Sequence, residues 1–423
     1  MPASISNNNS FEKYVCYSIF LLTLASFFIG FELRENSAGG GLIDLTHEWH
    51  NHLLLKNNML GFLYENYEAS RFPFFHILNL KINPFINSKS DFINSFFIYS
   101  FILIILFYYS LKTIIKENKN HIILLITSIL ILSPYFRTSS FWGLQENLAY
   151  IFLLSTLIIN EKFNNNKLLI LLFAFLSFYS DQKFIFVPAI FFFLSINKEK
   201  IFSYFNVKIL IYCILLFLPT LIIFISWGGI TKNETTSGIN EIAFSPQNIL
   251  FSLCIISLYL FPFLFLNYKK NIFKIFFYKK NLYYLILFII IYFFLRVLFI
   301  DINLPVSGGW TFKIYKSLIN LNIWIAEIIF FTLCLCSFFI VFSYYTIIKS
   351  NFLSKMILLF LIFYVLSIEI VFQEYYDPLM LFLAIFFLHK EDIANINFNK
   401  TLSLYLYFLA FWVGSISYYY FYI

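Results

Sequence analysis

Charge is what this chain has least of. Only 12% of its 423 residues are Asp, Glu, Lys or Arg, against 61% hydrophobic and 23% aromatic, and its mean hydropathy is +0.80. A soluble domain carries about a quarter of its residues as charge, so that class is excluded. Cysteine is scarce too. Cys16, Cys213, Cys254, Cys334 and Cys336 all fall inside apolar runs, where they read as small core residues, and nothing suggests an external disulfide or a metal cluster. Strand-like alternation is missing, which argues against a β-barrel. No internal repeat is visible, which argues against an inverted-repeat transporter. The first apolar run lacks a small-x-small cleavage site and reads as a retained anchor rather than a signal peptide.

What remains is an integral membrane protein. Apolar runs of about 17 to 25 residues, each enough to cross roughly 30 Å of hydrocarbon as helix, recur along the whole chain. The expected fold is all-α: a polytopic transmembrane helical bundle of about 11 to 13 spans forming one domain over 1–423, with a long first external loop carrying short interfacial helices. The first span is read at Tyr14 to Phe31 and the last at Leu402 to Tyr420.

The connecting loops are of two chemical kinds. One set is short and lysine-rich, for example "KENKN", "NKEKIFSYFNVK" and "HKEDIANINFNK", and the positive-inside rule assigns it to the cytoplasm. The other holds the long loops, 32–91 first among them, then Arg137 to Glu146, Asp181 to Lys183, Trp227 to Asn248, Asp301 to Asn322 and Gln373 to Pro378. These face the far side. The net charge of +7 then reports cytoplasmic anchoring lysines and gives no indication of nucleic-acid binding.

Ionisable residues inside apolar spans are costly, at about 2.5–3.5 kcal/mol each near mid-bilayer on insertion scales, and so mark candidate sites. Arg296, Glu327 and Glu369 are of this kind, and the assigned topology puts them at the outer level together with Glu146, Asp181, Glu374 and Asp377. Snorkelling to the interface explains any one of them equally well. Their convergence from several helices outlines an outward-facing polar cavity.

The densest polar stretch is "SAGGGLIDLTHEWHNHLLL", Ser37 to Leu55. Three glycines break the chain after the first span, and an amphipathic helix along the membrane surface is expected to follow. Helical spacing puts Asp44, His47, Glu48 and Asn51 on one face and Leu45, Trp49 and Leu53 on another. A carboxylate held near the bilayer can serve as a general base or a metal ligand for chemistry on a lipid head group. Plainer readings stand beside this one: Asp44 as a helix N-cap, and His52 as an interfacial residue without a partner. A zinc protease is disfavoured, because "HEWHN" has Asn51 where the motif needs its second histidine.

These features resemble the GT-C superfamily of polytopic glycosyltransferases, which take a sugar from a polyprenyl-phosphate donor and carry an acidic motif in a long first external loop. The pattern is most similar to the dolichyl-phosphoglucose-dependent alpha-1,2-glucosyltransferase family, in which an acid is followed three residues later by histidine, here Asp44-Leu45-Thr46-His47. Where that family has a tandem acid pair, Asp44 stands alone between Ile43 and Leu45. "SRFPFFHIL", "SPYFRTSSFWGLQENLAYIFLL", "SDQKFIFVP" and "QEYYDP" resemble its later motifs in order.

The resemblance implies transfer of a sugar to a lipid-linked or cell-envelope glycan acceptor on the extracytoplasmic face, and the abundance of Phe, Ile, Asn and Lys points to a bacterial inner membrane. It implies Asp44 as base, with His47 and Glu48 as alternatives. Arg71, Arg137, Lys183 and Arg296 are the candidates for neutralising phosphate, and Glu146, Asp181, Glu374, Tyr375 and Asp377 are further substrate-binding candidates. Two of these cations also have plain ion-pair readings, Lys183 with Asp181 and Arg296 with Asp301. A divalent cation is compatible with this set and not required by it. The rival functions are an O-antigen-type polysaccharide polymerase and a membrane transporter or flippase.

Overall fold

The computed structural model describes residues 4–64, 67, 71–83, 85–115, 119–163, 166–196, 203–229, 246–266, 279–298, 309–346, 352–364 and 371–421. Among them every regular element is helical. In hydrocarbon each backbone N–H and C=O must be satisfied within the protein, and a helix does so locally. The chain packs as two compact units, one of residues 1–237 with 397–423 and one of residues 238–396.

The first unit holds α1 (Ser4–Glu32), α2 (Gly41–Asn57), α3 (Phe74–Ile82), α4 (Lys89–Ile114), α5 (Asn120–Ile131), α6 (Pro134–Trp142), α7 (Glu146–Lys162), α8 (Lys167–Ser180), α9 (Phe186–Ser195), α10 (Tyr204–Trp227) and the C-terminal helix Phe398–Phe421. Among the described residues five helices are long and apolar enough to cross a membrane: Ser10–Glu32, Lys89–Ile114, Tyr204–Trp227, Ile323–Tyr344 and Phe398–Tyr420. Large apolar side chains on α10, such as Leu210, Ile214 and Ile225, are exposed, as a lipid-facing surface requires. The chain is therefore membrane-embedded.

Other apolar runs form shorter helices. Lys167–Ser180 and Asn248–Leu264 have 14 and 17 residues, about 21 and 26 Å of rise. The chain bends by 69° between α5 and α6. The cause is local. Ser133 caps α6 by accepting from the Phe136 N–H, with Pro134 in the first turn, and Gly143 in a left-handed conformation ends it.

An aromatic core holds the first unit together. Phe27 of α1 packs among Phe97 and Phe101 of α4 and Phe136 and Phe141 of α6, with ring centroids 4.9–6.0 Å apart. The C-terminal helix packs on α5 and α6. The stretch between α1 and α4 contains the short helices α2 and α3.

The second unit is built on α11 (Asn248–Leu264), α12 (Lys279–Leu298), α13 (Trp310–Ile319) and α14 (Ile323–Thr346). Here α11 lies along α14, with Cys254 and Cys334 in buried contact as free thiols.

Candidate functional site

Two buried ionic centres form in the first unit. In the first, Arg137 of α6 is fully buried, and its guanidinium meets Glu35 in fork geometry, Nε to Oε1 at 2.8 Å and Nη2 to Oε2 at 2.5 Å. The remaining N–H groups reach Ser26 O, Ser26 Oγ and Ile131 O, while Phe141 and Trp412 cover the guanidinium faces. Trp412 and Trp142 also donate to Glu35, to its Oε1 and its carbonyl oxygen.

This arrangement corrects the expectation that Arg137 binds substrate. Its donors are all engaged and none faces solvent. It ties the end of α1 to α6 and the C-terminal helix, and Glu35, its partner, had no signal in the sequence to separate it from Glu32 nearby.

The second centre gathers residues from four distant segments. Arg71 Nη2 lies 2.5 Å from Glu146 Oε1, and Nη1 lies 3.6 Å from Glu48 Oε1. Tyr135 donates to Glu146 Oε1 at 3.0 Å, Ser139 to Oε2 at 3.4 Å, and Gln145 to Glu48 Oε1 at 3.4 Å. His76 Nε2 approaches Glu48 Oε2 to 2.9 Å. Asp181 pairs with Lys183 at 3.2 Å, and the ammonium lies 5.6 Å from the Tyr135 ring.

Each segment delivers its group for a local reason. Glu146 sits in the first turn of α7, where the helix dipole favours a carboxylate. Asp181 ends α8 and accepts from the Lys183 N–H, which aligns the tight turn into α9. Arg71 stands just before α3, with Pro73 as that helix's N-cap.

The electrostatics follow from burial. Burial opposes the charge on Arg71, yet Glu146, Tyr135, Asp181 and Glu48 together hold its guanidinium well above the ordinary range. Burial, then Glu48, push the Tyr67 phenol well up against the opposing Arg71. Burial, then His76 and Lys56, push His52 down to about 4. Arg71 keeps 23% of its side chain exposed, so the centre is open on that side.

The helix carrying Asp44 differs from its expected orientation. Leu45, Glu48, Asn51, His52 and Leu55 of α2 are buried, while Ile43, His47, His50 and Leu53 are exposed. Its inward face is mixed because Glu48 has His76, Gln145 and Arg71 to meet. His52, expected at the interface, is fully buried against Trp49 and Phe92, at 5.5 and 5.0 Å between ring centroids, and neither ring nitrogen has a hydrogen-bond partner among the described residues. Asp44 lies in the first turn, half-buried. It is not the N-cap, which is Gly40. His47 faces away from the centre.

Four candidates belong to the second unit. Arg296 of α12 bonds Tyr315 at 2.8 Å and pairs with Glu327, which Tyr315 also reaches. Its partner is thus Glu327; Asp301 and Glu369 lie outside the described residues. Glu374 and Tyr375 are half-buried in a single turn, Asp377 is buried, and Tyr376 bonds Ser252 and the Leu361 carbonyl.

Trp227 stacks on Tyr67 and donates to the Phe62 carbonyl at 2.8 Å. Among the described residues no three His, Cys, Asp or Glu side chains gather closely enough to hold a metal ion. No family model matches the chain, and no curated protein or solved structure matches it.

Proposed function

We propose that this protein is a multi-pass membrane glycosyltransferase that moves a sugar from a polyprenyl-phosphate donor to a lipid-linked or cell-envelope glycan acceptor. In this reading the chain has 11 to 13 spans, segment 32–91 is its first external loop, and the site faces outward from a bacterial inner membrane. The observation that carries the reading is the meeting of Glu48, Arg71, Glu146, Asp181 and Lys183, from four segments, beside the helix that holds Asp44.

Transfer requires an acceptor hydroxyl to lose its proton as its oxygen bonds the anomeric carbon, while the carbon–oxygen bond to phosphate breaks and the electron pair leaves with the phosphate. Asp44 takes the proton, since it is half-buried yet reachable and lies one turn before Glu48. The exposed side of Arg71 and the Lys183 ammonium offset the charge that develops on the leaving phosphate. Glu48, held by Arg71, Gln145 and His76, positions α2 and with it Asp44.

The test is donor consumption by the purified protein in lipid, with radiolabelled polyprenyl-phosphate sugars. Asp44→Asn keeps the shape and removes the basicity, and it is expected to lower turnover by about 100-fold or more at an unchanged unfolding temperature. Turnover that survives in the folded variant removes Asp44 from the role. Absence of turnover of every donor by folded wild type overturns the reaction class.

A further inference from the structure

The chain has four arginines, and three of them are committed to carboxylates: Arg71 to Glu146, Arg137 to Glu35 and Arg296 to Glu327. Arg34 is different. Among the described residues no carboxylate pairs with it; its Nη1 donates to the Phe141 carbonyl at 3.2 Å, and its guanidinium lies 4.9 Å from the Phe31 ring centroid. It is half-buried, with a left-handed backbone at φ 52°.

Arg34 lines a cavity of about 410 Å³ together with Leu33, Asn36, Gly39, Gly40 and Tyr419. Among the described residues it is the one charged side chain in that lining. The cavity lies where two helices long and apolar enough to cross a membrane end, Ser10–Glu32 and Phe398–Tyr420. This is the level at which tyrosines meet lipid head groups, and Tyr420, which also lines the cavity, is exposed. The volume is in the range of small-ligand sites.

We infer that this cavity binds a lipid-borne phosphate, with Arg34 as its charged contact. A guanidinium with unused donors matches phosphate oxygens in fork geometry. A lipid supplies that anion at head-group depth, where a polyprenyl phosphate and a phosphoglycerolipid present the same chemistry. Asn36 adds a polar group beside it. The site stands on the cavity and on Arg34, and it does not depend on the transfer reaction proposed above.

The experiment is native mass spectrometry of the full chain released from nanodiscs of phosphatidylcholine alone, or with added phosphatidylglycerol or polyprenyl phosphate. Wild type, Arg34→Gln, Arg34→Lys and the exposed-surface control Lys81→Gln are compared, each confirmed monodisperse. Wild type and Lys81→Gln are expected to retain about one anionic lipid per chain. Arg34→Gln is expected to retain at least tenfold less, and Arg34→Lys an intermediate amount.

Retention of both anionic lipids identifies phosphate as the feature recognised, and retention of polyprenyl phosphate alone identifies the carrier lipid. Equal retention by wild type and Arg34→Gln overturns the site. Displacement of bound lipid by millimolar inorganic phosphate overturns the lipid source. Because the readout is binding, a protein that turns over no sugar donor can still pass this test, and an active one can fail it.

Discussion

At the residue scale, the chemistry depends on whether a polar side chain finds a partner once buried. His52 does not. Its unfolded form takes up a proton near pH 6.5 and its folded form only near 4, so the unfolded state binds more protons between those values. Stability is therefore lost as pH falls through that window, by roughly 3 kcal/mol at full protonation. Thermal unfolding in nanodiscs between pH 7.5 and 4.5 checks this: wild type should lose more than His52→Phe, and parallel curves would show that His52 contributes nothing. The same scale explains what the sequence concealed. Arg71, Arg137 and Lys183 read alike as cations near an interface, but Arg137 has all its donors used by Glu35, Ser26 and Ile131, while Arg71 keeps an exposed side.

At the scale of elements, the turn from α1 into α2 sets where Asp44 and Glu48 stand. Gly39 adopts φ 80°, and a Cβ there would lie 2.4 Å from the Tyr419 ring of the C-terminal helix. Gly39→Ala therefore meets both backbone strain and a clash, and a loss of about 1–3 kcal/mol is expected. The measurement is the unfolding temperature, and in the same variant sugar transfer should fall if α2 is displaced. An unchanged unfolding temperature would mean that Tyr419 moves aside freely.

Helix identity in this stretch was legible from three glycines followed by helical spacing. The face it buries was not. Glu48 points inward because His76 and Gln145 come from α3 and from the α6–α7 turn, a pairing that no local pattern encodes.

At the scale of the whole molecule, sidedness is the property most exposed to test. Within the first unit, Glu35 contacts Arg137, and Glu48 contacts Arg71 and Gln145, all from segments that the charge pattern assigns to one side. His50 and Lys112 are both exposed, one on α2 and one near the opposite end of α4, a helix of 26 residues and about 39 Å. In a Cys336→Ser background, His50→Cys is expected to react with a membrane-impermeant maleimide added outside intact cells, and Lys112→Cys only after permeabilisation. The reverse pattern would invert the topology and move the centre to the cytoplasmic face.

The sequence by itself determined that this is a helical membrane protein, because 61% hydrophobic residues in long uninterrupted runs leave a backbone in lipid no other way to satisfy its hydrogen bonds. It also singled out most of the ionisable residues that form the ion pairs of the first unit, because charge is costly in such a chain and is sparse enough to stand out. Apart from the neighbouring pair Lys183 and Asp181, the tertiary structure decided which of them belong together. Glu35 binding Arg137 and Glu48 meeting Arg71 and His76 are contacts between segments 23 to 102 positions apart, where geometry and desolvation choose the partner and residue type does not.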